Sequence, residues 1–409
     1  MTRLRPLTGP VMKLRRLPQD FQVDEVSAFP VEADGLYTVY RMTKEDIGTP
    51  EALDQIQRKW KLQRKHMSYG GLKDRHAVTS QFVTIQRGPR KPLLLQKVRL
   101  EYLGCAPRPF TPAEIEGNRF QIVMRSMSDR ELELALAAIP DIQRTGLPNY
   151  FDDQRFGSVT SEGEFIAVPW LKRDYERALY LTFAAHSDFD QREDREQKAL
   201  LRKHWGNWPE CKAALERSHR RSIVTFLADR PGDFRGAWSR VRQDMRSLYL
   251  SAFQSHLWNQ LLATLLREKA PGCLLNVEQK TNTVPFFRNV PDEVWAELRD
   301  CVLPLPSGRQ KPEPGLVEDL LNSVLEVHGL EFKDLRVRYP RDSFFSKGLR
   351  AAVIPLETLT YSTSPDELEP RRHKLSLAFQ LPRGSYATIL VKRLTVVAGG
   401  ELPELVDGV

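Results

Sequence analysis

The sequence predicts an α+β protein in which a core formed by two separate stretches of chain is interrupted by a helix-rich insertion. Three observations support this class. Strand and helix patterns are mixed over residues 1–157, helical patterns dominate from about Gly157 to Arg350, and strand patterns return near the C-terminus. We therefore place the core at residues 1–157 and 346–409 and the inserted domain at residues 158–345.

The first stretch of the core contains two helix starts. Thr49 and Pro50 form a cap followed by a favoured first helical residue. Ser128 and Glu131 form a capping-box pattern ahead of the apolar run ELELALAAI. Strand patterns lie between these helices, at residues 81–86 (QFVTIQ) and 119–125 (RFQIVMR).

The insertion contains several helical patterns. Residues 190–222 are dense in both charge signs and predict exposed helices. Residues 247–266 form an uncharged run of 20, but eight of these residues are Ser, Gln, His, Asn or Thr, so a helix packed on a core is expected instead of a membrane span. A further helix is marked by Leu316, Leu320, Val324 and Val327.

The second stretch of the core begins with a clear strand. Apolar and polar residues alternate over residues 375–381, and a turn is predicted at residues 382–385. The following run at residues 386–397, YATILVKRLTVV, is rich in β-branched residues and is predicted to continue as a strand.

Charge and cysteine content narrow the functional classes. Lysine and arginine number 61 against 53 acidic residues, and the net charge of +8 favours a polyanionic partner. The four cysteines lie far apart, which predicts a reducing compartment. The basic N-terminus has no apolar run typical of a secretory signal, so a cytoplasmic location is expected.

The sequence lacks the common cofactor and hydrolase signatures. Patterns such as G-x-G-x-x-G, G-x-x-x-x-G-K-[ST], H-E-x-x-H and G-x-S-x-G do not occur. The eight histidines show no metal-ligand spacing. We therefore expect no cofactor and no metal.

The densest candidate stretch for chemistry is residues 68–81. Gly70 and Gly71 allow a close backbone approach or a positive φ. Lys73 and Arg75 flank Asp74, and two cations beside one carboxylate favour the ionised form that a nucleophile or base requires. The alternative is an ordinary turn aspartate that caps the next element.

Two further stretches could contact a planar, anionic ligand. Asn118 can hydrogen-bond a base edge or a backbone group. Phe120 can stack on a base or simply enter the core, as the alternation of RFQIVM favours. Residues 149–157, NYFDDQRFG, combine three aromatic rings, amides and Arg155, a mixture that suits either a nucleotide site or a well-packed loop.

Together these stretches resemble the TruD family of tRNA pseudouridine synthases. The family pattern around its catalytic aspartate, A-G-x-K-D-x-x-A-x-T-x-Q, aligns with residues 70–81. Four other family elements occur in the same order, at residues 18–25 (PQDFQVDE), 117–120 (GNRF), 149–157 and 381–388 (LPRGSYAT). The insertion matches more weakly, chiefly through LSAFQSHLWNQLL.

The resemblance implies a fold and an activity. The fold would be a pseudouridine-synthase core, with a mixed, largely antiparallel sheet and flanking helices, plus the inserted helix-rich α/β TRUD domain. The activity would be an isomerisation of uridine to pseudouridine in tRNA, at position 13 in the bacterial family. This reaction requires no metal or cofactor, and the implied partner is tRNA, with no membrane association.

The resemblance also assigns residues. Asp74 would be the catalytic nucleophile, either adding to ribose C1′ or taking a proton from C2′ to give a glycal. Arg15 aligns with a family lysine, so a cationic contact is expected there. The implied substrate-binding residues are Phe21, Asn118 and Tyr386 in the pocket, Phe120 as a stacking ring, and Lys73 and Arg155 for orienting Asp74 or binding phosphate.

Other functional classes remain open on the sequence. A non-catalytic RNA-binding protein or RNA chaperone of the same fold would need no ionised carboxylate at Asp74. A methyltransferase would need a glycine-rich cofactor loop, which the sequence lacks. The sequence does not specify an oligomeric state.

Overall fold

The computed structural model describes residues 13–187 and 190–397, which form two compact units. The first unit takes the described residues up to Leu147 and from Ile354 onward, and the second is Pro148–Val353. The predicted boundaries, at 157/158 and 345/346, therefore fall within the second unit. Residues 149–151 pack there: Arg350 Nη2 donates to the Asn149 carbonyl at 2.8 Å, and the Tyr150 hydroxyl donates to the Pro285 carbonyl at 2.8 Å.

The first stretch of the first unit contains strands and the helices α1 and α2. Its elements before the crossing to the second unit are β1 (Lys13–Leu14), β2 (Phe21–Val26), β3 (Tyr37–Glu45), α1 (Thr49–Trp60), β4 (Met67–Tyr69), β5 (Val78–Gln86), β6 (Leu93–Leu94), β7 (Val98–Ala106), β8 (Gly117–Met127), α2 (Asp129–Thr145) and β9 (Leu147–Pro148). The predicted strands correspond to β5 and β8, and the predicted capping box starts α2, where the Glu131 amide donates to Ser128 Oγ at 3.3 Å. Thr49 is the first residue of α1, after the cap Gly48.

The second unit is rich in helices. Its helices are α3 (Ala167–Leu171), α4 (Tyr175–Phe183), α5 (Arg192–His204), α6 (Trp208–Ala214), α7 (His219–Asp229), α8 (Phe234–Ser239), α9 (Gln243–Lys269), α10 (Asp292–Arg299) and α11 (Leu316–Val327). Short strands accompany them, namely β10 (Leu274–Glu278), β11 (Thr283–Phe287), β12 (Val302–Pro304), β13 (Leu349–Ala351) and β14 (Val353–Ile354), the last of which leads back to the first unit.

Helix α9 is the longest helix of the second unit and contains the uncharged run. The sequence predicts one apolar face, but the polar residues Gln254, Ser255 and Asn259 are buried as well. They are tolerated because they hydrogen-bond neighbouring loops; Asn259 Oδ1 accepts from the Phe151 amide at 2.8 Å, for example. Among the residues that the structure describes, no helix has the length and apolar character needed to cross a membrane.

The chain returns to the first unit through β15 (Thr360–Pro365), β16 (His373–Pro382) and α12 (Ala387–Val397). The predicted strand at residues 386–397 is therefore wrong. Almost every side chain of this run is buried, so its pattern shows neither period, and its β-branched composition favours a strand locally. Packing against α2 overrides that preference, and the buried Arg393 pairs with Asp141 of α2, with Nη2 3.3 Å from Oδ2.

Apart from β9, which pairs with β14, the strands described for the first unit form one mixed, largely antiparallel sheet, which confirms the predicted α+β class. The strand order is β15-β16-β8-β2-β5-β3-β7-β6, with β1 added beside β8 and β4 beside β5. The pair β2 and β5 is parallel, and the other neighbours in this sheet are antiparallel. Helix α1 buries Leu53 and Ile56 against Tyr40, Met42 and Val83 of the sheet.

Candidate active site

Asp74 lies in the loop between β4 and β5, and hydrogen bonds fix the backbone of this loop just before it. Gln81 Nε2 donates to the Gly71 carbonyl at 2.9 Å, and the Lys73 amide donates to Thr49 Oγ1 at 3.0 Å. The Thr49 hydroxyl in turn donates to Gln81 Oε1 at 3.1 Å. Both Thr49 and Gln81 are buried, so these bonds join the loop to rigid elements, the start of α1 and strand β5.

The Asp74 carboxylate is partly exposed and faces a cation from a distant part of the chain. Its side chain is 36% exposed, and Arg15 Nη2 lies 3.6 Å from Oδ1. The Arg15 guanidinium is buried and lies 4.0 Å over the Phe21 ring, which fixes its position. Arg15, where a cationic contact is expected, therefore faces the Asp74 carboxylate.

The two cations adjacent to Asp74 in sequence pair with other residues, although the sequence predicts that they act on the Asp74 carboxylate. Arg75 pairs with Glu51 on α1. Lys73 Nζ lies 3.2 Å from Glu25 Oε2 and donates to Asn118 Oδ1 at 2.5 Å. Backbone geometry points neighbouring side chains in different directions, so adjacency in sequence did not predict these ion pairs.

A second lysine lies beneath the Asp74 loop. Lys44 on β3 is buried, and its ammonium donates a hydrogen bond to the backbone carbonyl of Asp74. Burial lowers the pKa of Lys44 to about 8, and the nearby Asp74 carboxylate opposes part of that shift. Lys44 therefore remains mostly protonated at neutral pH and adds positive charge to the site.

Glu25 connects the Asp74 loop to the centre of the sheet. It is fully buried on the same face of β2 as Phe21 and Val23, where a carboxylate requires partners. Its Oε1 accepts from the Phe82 amide at 2.9 Å, and its Oε2 faces Lys73. Because Lys73 occupies Asn118 Oδ1, the amide of Asn118 presents its Nδ2 as the available donor.

Two aromatic residues of the predicted site, Phe21 on β2 and Phe120 on β8, lie on neighbouring strands of the sheet. Phe120 is only 7% exposed and packs between Phe21, at a centroid distance of 6.1 Å, and Phe379, stacked at 5.5 Å. This burial agrees with the core alternative for Phe120. Tyr386 is half-buried and follows the end of β16, where Leu381 pairs with Asn118.

The first unit therefore brings together most of the predicted residues. Arg15 joins Asp74 to Phe21, and Lys73 joins the Asp74 loop to Asn118. Arg155 is in the second unit, where its guanidinium donates to Ser251 Oγ and, from Nε at 3.3 Å, to Ser255 Oγ on α9. It is engaged by this helix within its own unit.

Sequence reasoning missed the roles of several supporting residues. Glu25 and Gln81 lie in the stretches that match the family patterns, but the sequence assigns them no role. Thr49 is predicted only as a helix cap. Lys44 carried one usable signal, because it alternates with Tyr40 and Met42 on the core-facing side of β3. A charged residue at a core-facing position indicates a buried partner, here the Asp74 backbone.

Comparison with known proteins finds relatives that share one description. The family model described as tRNA pseudouridine synthase D (TruD) matches residues 4–394. A protein described as probable tRNA pseudouridine synthase D 1 from Methanococcus maripaludis is 30% identical over 94% of this chain and 99% of its own length. The tRNA pseudouridine synthase D of Aquifex aeolicus is 29% identical over 94% of this chain and 98% of its own.

A solved structure supports the fold independently. The crystal structure assigned to tRNA pseudouridine synthase D (TruD) from Methanosarcina mazei superimposes with a TM-score of 0.73. The match covers 94% of this chain and 93% of that one, at 22% sequence identity. At 22% identity this similarity supports the fold alone.

Proposed function

We propose, since this chain belongs to the tRNA pseudouridine synthase D (TruD) family, that it isomerises uridine 13 of tRNA with Asp74 as the nucleophile. The family assigns the chain to the isomerases that convert uridine to pseudouridine in tRNA. The observation that carries the residue assignment is the position of Asp74, a partly exposed carboxylate on a hydrogen-bonded loop, with Arg15 against it.

The reaction exchanges the base atom that is bonded to ribose C1′. The N1–C1′ bond of uridine breaks, the detached uracil turns, and C5 bonds to C1′, after which the proton on C5 is lost and N1 gains one. The Asp74 carboxylate either adds to C1′ as the glycosidic bond breaks, or removes a proton from C2′ to give a glycal. Both routes require an ionised carboxylate beside the sugar and return it unchanged.

The surroundings of Asp74 suit this role. The Arg15 cation lies against the carboxylate and the Lys44 ammonium against the backbone carbonyl of Asp74, while the carboxylate keeps enough exposure to meet a ribose. The detached uracil must also be held in place. The Asn118 Nδ2 group, oriented by Lys73, can donate to a uracil carbonyl, and Tyr386 can cover the base.

The uridine must leave the RNA stack before it can reach Asp74. Base extrusion costs a few kcal/mol, and stacking on an aromatic ring returns about 1–3 kcal/mol per base. In the proposed site Phe21 and Phe120 form the apolar floor. Because Phe120 packs between Phe21 and Phe379, it offers the base only the small exposed part of its ring. Tyr386, which is more exposed, supplies a second ring.

The test uses two tRNA transcripts that differ at one nucleotide. Each is incubated with the enzyme, and pseudouridine is mapped by carbodiimide modification and primer extension. We expect a single new pseudouridine at position 13 of the natural transcript and none in the transcript with cytidine at position 13. Pseudouridine at another position in both transcripts would show that uridine 13 is not the target.

We predict that Thr49→Val lowers kcat more than it raises KM. The substitution leaves the Lys73 amide without its acceptor and Gln81 Oε1 without its donor. The Asp74 loop thus loses one direct anchor and the bond that orients its other anchor, Gln81. A displacement of the carboxylate by even 1 Å can reduce the rate by about 100-fold. Single-turnover rates measure the effect. Thr49→Ser, which keeps the hydroxyl, should restore most of the rate, and equal defects in both variants would contradict this account.

We also predict an alkaline loss of activity that depends on Lys44. Its folded-state pKa is about 8, below the ordinary lysine value of 10.5, so its charge is present below pH 8 and is lost as the pH rises through this value. The kcat/KM should therefore fall above pH 8, as the positive charge beside Asp74 disappears. In Lys44→Met, which has no charge at this position at any pH, kcat/KM should be lower below pH 8 and should not fall above it. The same fall above pH 8 in the variant would assign the titration to another group.

A further inference from the structure

The second unit contains a concave surface lined by cations and an exposed aromatic ring. The cavity has a volume of about 570 Å³ and is formed by three segments, residues 307–309, 335–338 and 341–347. Among the residues that the structure describes, the side chains around it include Phe344 and no aspartate or glutamate. Its five cationic residues, all exposed, are Arg309, Arg336, Arg338, Arg341 and Lys347.

These five cations differ from their neighbours in their ion pairing. In the part of the chain that the structure describes, none of them forms an ion pair. Neighbouring cations behave differently: Arg246 pairs with Asp342, Lys311 with Glu318, and Lys333 with Glu331. Five uncompensated charges around one cavity repel one another, so the arrangement favours an anionic occupant.

Buried contacts hold the cavity in shape. Gln254 of α9 is buried, and its Nε2 donates to the Pro306 carbonyl at 2.9 Å and to the Ser346 carbonyl at 2.8 Å, joining two of the three segments. Gly308 lies so close to the segment 335–338 that a Cβ atom would come within 2.6 Å of the Arg336 amide nitrogen. The cavity is therefore formed before any ligand binds, which reduces the entropic cost of binding.

The acidic residue of the third segment is directed to another partner. Arg246 holds Asp342 by two hydrogen bonds, from Nη1 at 3.0 Å and from Nη2 at 2.8 Å, and lowers the pKa of this carboxyl. Asp342 is not among the residues around the cavity. The local negative charge is thus neutralised, while Arg341 and Lys347 on the same segment remain available.

An exposed phenylalanine beside the cations adds an aromatic surface to the cavity. Phe344 is 52% exposed, which is unusual for a phenylalanine, and the Arg309 guanidinium lies 4.1 Å from the centre of its ring. An arginine stacked on an aromatic ring provides a flat surface on which a nucleobase can stack and a cation that can reach its phosphate.

We propose that this cavity binds an unpaired nucleotide of the tRNA substrate, with its phosphates among the cations and its base stacked against Phe344. The inference rests on the proposed function in one respect, namely that the polyanion is tRNA. Single-stranded nucleotides fit better than a regular duplex, because their bases are free to stack on a protein ring. The site would contribute to substrate affinity and take no part in the isomerisation.

The first experiment compares two variants that lose the same charge. Arg336→Gln/Arg338→Gln/Arg341→Gln removes three cavity cations, and Lys203→Gln/Arg217→Gln/Arg288→Gln removes three exposed cations of the same unit that do not line it. Binding of unmodified tRNA transcript is measured by fluorescence anisotropy over a series of salt concentrations. We expect the cavity variant to bind at least about tenfold more weakly and its salt slope to decrease by about 2. The control should stay within about threefold of wild type.

The second experiment isolates the aromatic ring. Phe344→Ala should raise the Kd for the transcript by about tenfold, since stacking contributes about 1–3 kcal/mol per base. The kcat at saturating tRNA should be unchanged, so the loss appears in KM. Phe344→Tyr keeps a ring and should bind like wild type, whereas equal weakening in the Ala and Tyr variants would contradict stacking.

The outcomes separate this inference from the proposed function. If wild type forms pseudouridine but the cavity and control triple variants bind tRNA equally well, the cavity site is wrong and the enzymatic function stands. If wild type forms no pseudouridine while the cavity variant alone loses tRNA binding, the cavity site stands and the function is wrong. Uridine monophosphate should not compete with the transcript at concentrations near the tRNA Kd; competition there would assign the cavity to free nucleotides.

Discussion

Replacing Asp74 with asparagine is expected to lower the rate of pseudouridine formation by at least about 1,000-fold. Asparagine has nearly the same shape and can keep the loop anchored, because the anchoring bonds involve Gly71, Lys73 and the backbone carbonyl of residue 74. It cannot supply the anionic oxygen that either chemical route requires. Pseudouridine release in single-turnover reactions measures the loss directly.

Binding of tRNA should survive this substitution. The cations around Asp74 remain, and removing a negative charge does not weaken attraction to phosphate, so the Kd should stay within about threefold of wild type. Asp54→Asn is the matched control, since Asp54 is an exposed carboxylate on α1 without an ion pair in residues 13–187 and 190–397. Full turnover by the Asp74→Asn variant would show that another group performs the chemistry. Binding of tRNA by both wild type and variant, with turnover by neither, would favour the alternative of a non-catalytic RNA-binding protein.

Arg125→Met is expected to reduce the free energy of unfolding of the first unit by about 3–5 kcal/mol. Arg125 on β8 is buried and donates to Asp20 from Nε at 2.8 Å, to Asp366 from Nη1 at 2.9 Å and to Glu367 from Nη2 at 3.1 Å. Asp20 and Asp366 are themselves almost fully buried. Without the guanidinium, two carboxylates would remain in a low-dielectric environment with reduced compensation.

The ion cluster joins distant parts of the chain, so its loss should be cooperative. Asp20 precedes β2 and Asp366 follows β15, and both strands belong to the sheet that carries Phe21 and Asn118. Urea denaturation followed by circular dichroism measures the change. Arg119→Met, an exposed arginine on the same strand, should cost less than about 0.5 kcal/mol. A similarly small loss for Arg125→Met would mean that the cluster contributes little to stability.

Much of the fold was predictable because the local patterns agree with the tertiary structure. The capping box at Ser128, the alternation over residues 375–381 and the apolar spacing from Leu316 to Val327 each correspond to an observed element. The C-terminal helix α12 was not predictable in this way. Its β-branched residues favour a strand locally, and only packing against α2 determines the helix.

The candidate site was predictable to the extent that it lies in contiguous motifs. Asp74, Asn118 and Phe21 stand in such motifs, and the structure links them through Lys73 and Arg15. The partners of each charge were not predictable, because they depend on the sheet register. The parallel pairing of β2 with β5 and the antiparallel pairing of β2 with β8 bring Glu25 close to Lys73 and Asn118.

The central claim is that the side chain at position 74 meets the sugar of an extruded uridine. The most direct measurement is a structure of the Asp74→Asn variant bound to unmodified tRNA transcript. The account predicts that nucleotide 13 is out of the stack, with its ribose C1′ and C2′ within about 3.5 Å of the Asn side chain and its uracil beside Asn118 and Tyr386. A complex in which the uridine remains stacked, or enters a different cavity, would contradict it.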